Sequence, residues 1–171
     1  MSLALIILRL LHILLGVFWV GAMAFNTIFL GPAITEAGPD GAKVMGSIIR
    51  RRFMDVMPVV ALLTILSGLW LYWRVSGGFN HHWIHTPSGL AYSAGGLLAI
   101  VTFVYGVTLI RPTMTKLGKL AAGAQQETDP AKRQAIMAEV GRLRRRSTTF
   151  GWVALVLLVL ATALMAVARY V

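Results

Sequence analysis

The sequence predicts an all-α protein, a bundle of four transmembrane helices with a cytoplasmic helical hairpin extension. Of its 171 residues, 57% are hydrophobic, and the mean hydropathy is +0.75, well above the balance of a soluble protein. Four apolar runs are each long enough to cross a bilayer, at about residues 3–30, 54–75, 88–110 and 149–170. The length fits one unit, so residues 1–171 are expected to form a single integral membrane domain.

The distribution of basic residues predicts the orientation. Of the 16 Lys and Arg, four lie between the first and second runs and nine between the third and fourth. The positive-inside rule makes those connections cytoplasmic, with both termini and the loop Ser76–Pro87 outside a bacterial-type inner membrane. The net charge of +10 is then explained by the membrane topology, and it also favours some attraction to anionic membrane lipid. Nucleic acid is not expected as a partner.

The first run is about 28 residues long, roughly 42 Å as a helix, which exceeds the ~30 Å hydrocarbon core. One helical stripe carries its ionisable and small residues: Arg9, His12, Gly16, Trp19, Met23, Asn26 and Leu30. Ala22-Met23-Ala24 resembles a signal-peptidase site, but the run is about twice as long as a signal core and has no basic residue before Arg9. We therefore expect a membrane span whose stripe faces the bundle interior.

The connecting segments contain helix breakers and basic helices. Gly31-Pro32 and Gly38–Gly41 are expected to end helices, and Ala42–Phe53 to form a basic amphipathic helix at the membrane surface. Arg111-Pro112 is expected to end the third span. Residues 113–126 and 131–147 then form the hairpin, with Asp129 as a helix cap before Pro130.

Two of the spans have a face of small and polar residues. In the second span these are Ala61, Thr64, Gly68 and Tyr72, and in the third they are Tyr92, Gly95, Ala99, Thr102 and Gly106. Such faces allow helices to pack closely, and they predict a homo-oligomer.

His12 is the candidate ligand of a b-type haem. Counting along the span places it roughly 7 Å outside the midplane, Gly16 one turn below could make room for the porphyrin, and nearby cations could bind the propionates. Those cations are Arg9, Arg74 and Arg169. The second axial ligand stays open between Met165, Tyr92, an empty position and His85, which lies roughly 14 Å higher. Without a cofactor, His12 would form a hydrogen bond across the bundle while Arg9 snorkels outward.

The outer loop offers an alternative metal site. His81, His82 and His85 lie within five residues and, with His12, are candidate ligands for copper or zinc. A solvated loop is the other interpretation. The chain has no cysteine, and its six carboxylates all lie on the predicted cytoplasmic side, so thiolate chemistry is excluded and a buried acidic relay is not expected. No catalytic motif is present, and catalytic residues cannot be assigned.

Short motifs resemble a broad group of small membrane proteins. They are Leu11-His12 followed by Phe18–Gly21, Arg51–Phe53 with Pro58, Gly68–Leu71, and Arg111-Pro112. The group includes CopD-like copper-resistance proteins, the HemJ type of protoporphyrinogen oxidase, and uncharacterised short members that are most similar in length.

The resemblance to HemJ-like proteins implies haem ligation by His12. A lysine that those proteins carry at the start of the third helix is absent here, where the sequence is Trp83–Ser88, which argues against protoporphyrinogen oxidation. The resemblance to CopD implies copper handling by His12, the outer histidines and methionines.

These observations define three hypotheses. The first is a b-type haem protein in electron transfer or porphyrin oxidation, acting with a redox partner. The second is a copper-binding or copper-transport protein. The third is a cofactor-free scaffold or subunit that docks a partner or anionic lipid.

Overall fold

Four long helices make up the molecule, and each is long and apolar enough to cross a membrane. The computed structural model describes residues 3–171, and it contains no strand in that range. The four helical stretches are Leu3–Glu36, Phe53–Val75, Pro87–Gln126 and Pro130–Val167. The all-α fold with four candidate spans is therefore confirmed, and the chain has the form of a multi-pass membrane protein.

Two of these stretches contain short π-helical segments. The α-helices are α1 (Leu3–Phe25), α2 (Gly31–Glu36), α3 (Gly38–Arg50), α4 (Phe53–Val75), α5 (His81–Ile84), α6 (Pro87–Tyr105), α7 (Arg111–Gln126) and α8 (Pro130–Val167). The first π segment, Asn26–Leu30, joins α1 to α2, and the second, Gly106–Ile110, joins α6 to α7.

The prediction that Gly31-Pro32 breaks the helix was wrong, and the helix also continues past Arg111-Pro112, where the third span is predicted to leave the membrane. In an α-helix, a proline ring clashes with the carbonyl four residues earlier. Here the turn before each proline is widened, so that the Gly31 amide donates to Asn26 O and the Arg111 amide to Gly106 O. The wider turn accommodates the proline, and the helix continues past it.

The chain does break near Gly38, which has a φ of +54°. The following amphipathic helix, α3, begins and ends earlier than the predicted Ala42–Phe53. It stops at Arg50, and Arg52 adopts a left-handed conformation at the start of α4.

Residues 131–147, predicted as the second helix of the hairpin, are continuous with the fourth span. Asp129 caps α8 through its side chain, as expected, but α8 then runs without interruption from Pro130 to Val167. Because residues 131–147 contain no proline, they can extend the fourth span as one continuous helix, and Gly141 lies within it. Helix α7 packs against α8. The cytoplasmic location of this extension stays a prediction.

The bundle consists of two closely packed pairs, α1 with α4 and α6 with α8. The small-residue faces lie in these contacts: Ala61, Thr64, Gly95 and Thr102 are buried. A Cβ at Gly95 would lie 2.9 Å from Met165 Cγ and 3.0 Å from the Ala161 carbonyl oxygen. These faces are therefore occupied within the chain, and the predicted homo-oligomer would have to use other surfaces.

The core lies where the pairs meet. Trp19, Ala61 and Leu158 are buried together there, joining α1, α4 and α8. Toward the end of the first span, Thr27 lies against Gly151 of α8, where an added Cβ would come within 3.2 Å of Thr27 Oγ1. Glycine at 151 thus lets the two helices approach.

Candidate functional site

The imidazole of His12, a residue of α1, lies against the middle of α4. Its half-buried imidazole contacts α4 from Thr64, the central residue of that helix, to Gly68, about 6 Å further along. His12 is therefore part of a helix–helix contact, and its depth in a membrane stays a prediction.

The hydrogen bonds of His12 define its tautomer. Nδ1 lies 2.9 Å from the Thr64 carbonyl oxygen and 3.2 Å from Ser67 Oγ. A carbonyl oxygen can only accept, so Nδ1 must carry the proton and donate it. In the neutral imidazole, Nε2 then has a free lone pair, which is the state of a histidine that binds a metal through Nε2.

Ser67 supports this assignment. Its hydroxyl lies 2.7 Å from Leu63 O and 2.9 Å from Thr64 O, and it donates to these carbonyls of its own helix. Ser67 Oγ therefore presents a lone pair toward His12. Both neighbours of Nδ1 are acceptors.

Gly68 leaves room for the imidazole ring of His12 beside α4. A Cβ at this position would lie 2.8 Å from His12 Cε1 and 3.3 Å from Nδ1, closer than side chains tolerate. Any other residue at 68 would push the imidazole away from the Thr64 carbonyl.

The structure places Gly16 differently from the haem hypothesis, in which this glycine made room for the porphyrin. A Cβ at Gly16 would lie 3.7 Å from Thr64 Cγ2, an ordinary packing distance, so this glycine faces α4. Space for a planar ring is not provided between Gly16 and α4. Arg9 is exposed, which is the position expected of a cation that reaches the membrane interface.

Tyr92 and Met165 have partners other than His12. Tyr92 stacks on Trp83, with ring centroids 6.3 Å apart, and Trp83 in turn packs edge-on against Tyr72. Met165 packs on Gly95 in the α6–α8 pair. These contacts place both residues in the packing of α4, α5, α6 and α8.

The outer-loop histidines are exposed. The rings of His81 and His85 are 4.2 Å apart, and His85 Nδ1 lies 2.7 Å from the His81 carbonyl oxygen, to which it donates. His82 is held by its backbone amide, which donates to the Asn80 side chain. Within residues 3–171, no three side chains of His, Asp or Glu converge as a metal site would require.

The two outer arginines contact aromatic rings. The guanidinium carbon of Arg74 lies 6.0 Å from the centroid of Trp73, and that of Arg169 lies 4.8 Å from Tyr170. Both arginines are exposed and can rearrange.

The residues that sequence reasoning missed are the partners of His12. Thr64 and Gly68 were recognised as a packing face, but their pairing with His12 was not, and Ser67 was not singled out. Their spacing was the available signal, since positions 64, 67 and 68 lie on one face of a helix.

Comparisons with protein-family models, with curated proteins and with solved structures found no match to this chain.

Proposed function

We propose that this chain is a b-type haem membrane protein that acts in electron transfer, with His12 Nε2 as an axial ligand. The observation that carries the proposal is the His12–Thr64 hydrogen bond, because it orients the ring and leaves Nε2 as the basic nitrogen. The hydrogen bond also increases the electron density of the imidazole. A bound haem b would supply the one-electron chemistry.

The residues around His12 have distinct tasks in this proposal. Thr64 O holds Nδ1, Ser67 Oγ offers a second acceptor, and Gly68 provides the space for the ring. Since Gly16 faces α4, the porphyrin would lie on the outer surface of the α1–α4 pair, with exposed Arg9 near its propionates. The second ligand would be an exchangeable molecule or a group from another chain, because Tyr92 and Met165 are engaged elsewhere.

An absorption spectrum tests the proposal. The protein is expressed in a host supplied with iron and a haem precursor, purified in mild detergent, and assayed for haem by its pyridine complex. Wild type is expected to show a Soret band, and His12→Ala to lose most of the haem. His85→Ala is the matched control, because it removes an exposed imidazole and is expected to keep the haem. Wild type without a Soret band, or His12→Ala with a full one, would reject the proposal.

A cofactor-free scaffold is the second candidate. The same hydrogen bond favours it, since Nδ1 is satisfied by α4 without any ligand. In that case, His12→Ala lowers the thermal stability of the protein and changes no spectrum. Copper binding by the outer loop is a further hypothesis. Metal analysis of a variant that lacks His81, His82 and His85 distinguishes it from the other two.

A further inference from the structure

A large cleft lies at the basic end of the bundle, the end that carries residues 31–52 and 111–148. Its volume is about 870 Å³, and it opens between α3 on one side and α7 and α8 on the other. Its floor is the start of α4, at Met54 and Asp55. The cleft is far from His12, which contacts the middle of α4.

The lining of this cleft is strongly cationic. Five basic side chains line it, namely Lys43, Arg50, Arg111, Lys119 and Arg144. Asp55 is the one carboxylate in the lining, and it is paired with Arg111 at 2.9 Å. Lys43 is paired with Asp40.

Three of these cations have no acidic partner. Across residues 3–171, no carboxylate lies within 4.0 Å of Arg50, Lys119 or Arg144. Arg144 is also half-buried, which makes an uncompensated charge more costly. Hydroxyl groups complete the lining, among them Ser47, Thr115 and Thr148. A group with several anionic oxygens would compensate the charge, and arginine binds such groups in bidentate fashion.

An apolar cavity adjoins the cleft. It has a volume of about 130 Å³, and Met54, Arg111, Met114 and Ser147 line both spaces. Cavities of about this size hold a benzene-sized apolar group, so the cavity offers room for a short section of an acyl chain. A ligand that fits both spaces has an anionic head and an apolar tail.

We propose that the cleft binds the phosphate head group of an anionic phospholipid, with part of one acyl chain beside Met54 and Met114. Basic pockets between transmembrane helices are suited to such head groups. Arg144 lies five residues before the predicted start of the fourth span, about 7 Å along the helix, and is thus at head-group level. The proposal does not depend on haem.

The test is native mass spectrometry of the full chain released from nanodiscs that contain phosphatidylglycerol and phosphatidylcholine. The cleft variant is Lys119→Gln with Arg144→Gln. The matched control is Lys132→Gln with Arg145→Gln, which removes the same charge from exposed positions outside the cleft. Thermal unfolding of each variant reports whether it is folded, and Lys119→Gln alone, expected to bind about fivefold more weakly, is the milder variant if the double substitution fails to fold.

Wild type and control are expected to retain phosphatidylglycerol in preference to phosphatidylcholine. Each cation near an anionic head group strengthens binding roughly fivefold, so the cleft variant is expected to bind about 25-fold more weakly. Equal losses in cleft variant and control would show general surface attraction and overturn the proposal. It would also be overturned if inorganic phosphate at millimolar concentration displaced the lipid completely, since the site would then recognise phosphate alone.

Discussion

At the scale of single residues, glycines decide which side chains can approach each other. Gly68 gives His12 access to the Thr64 carbonyl, and Gly95 gives Met165 and the Ala161 backbone access to α6. Both are close contacts within a helix pair, so even one added methyl group requires a neighbour to move.

Gly95→Ala is expected to destabilise the protein by about 1 to 3 kcal/mol, because the new Cβ would collide with a backbone oxygen that cannot easily shift. The neighbouring Gly96 is the control, since a Cβ there meets nothing within 4 Å. Gly96→Ala is therefore expected to leave stability unchanged or slightly raised. Thermal unfolding in detergent measures both. Equal effects of the two substitutions would show that the α6–α8 contact is not as close as described.

The same scale shows what the sequence could predict about the site. Within the predicted stripe from Arg9 to Leu30, His12, Gly16, Trp19 and Met23 contact other helices, whereas Arg9 is exposed. The partners of His12 could not be predicted, since which helix faces His12 depends on how the four helices are arranged. Gly16 was expected to make room for the porphyrin, but it faces α4, and this too depends on how the helices are arranged.

At the scale of helices, one ion pair connects α7 to α8, and a second pair within α8 shares its carboxylate. Lys116 Nζ lies 3.0 Å from Glu139 Oε1, and Arg142 contacts the other carboxylate oxygen. The hydrogen bond from Lys116, together with the contact to Arg142, holds the pKa of Glu139 below its usual value near 4.5. The ionised carboxylate is thus favoured in the folded state.

Glu139 is expected to make stability depend on pH. A carboxyl group whose pKa is depressed by folding stabilises the folded state above its unfolded pKa, and this contribution is lost as the pH falls through the folded pKa. At neutral pH, Glu139→Gln should therefore unfold at a lower temperature than wild type, and the difference should shrink below about pH 4. Glu36→Gln, at an exposed position, is the control. A difference that persists unchanged at low pH would contradict the assignment.

The helices also show where local sequence rules fail. The apolar runs were sufficient to locate all four spans, because hydrophobic length is a direct requirement of the bilayer. Pro32 was interpreted as a breaker because a proline cannot continue a regular α-helix, but a π segment removes the clash there and at Pro112. The sequence analysis located residues 131–147 and the fourth span as helical, and the structure shows them as one helix from Pro130 to Val167.

At the scale of the whole molecule, an even number of spans predicts that both termini lie on the same side of a membrane, and the basic residues predict which side. The absence of cysteine makes this orientation testable with single substitutions. His82 lies in the outer loop and Thr128 between α7 and α8, and both are exposed. In spheroplasts, a membrane-impermeant maleimide is expected to label His82→Cys at once and Thr128→Cys only after permeabilisation. The reverse order would invert the predicted topology.

The proposed electron transfer requires that a redox partner can approach the haem. In the proposal the porphyrin would lie on the outer surface of the α1–α4 pair, and the exposed large apolar side chains of α1 include Leu11 and Phe18. A membrane-embedded partner therefore fits this surface better than a soluble one.

The most direct test of the central claim, that His12 Nε2 ligates haem, is chemical rescue of His12→Gly. The variant is expected to lack the Soret band, and added imidazole is expected to restore it by occupying the space of the missing ring. A Soret band in His12→Gly equal to that of wild type without imidazole would contradict the claim, as would a wild-type protein that binds no haem.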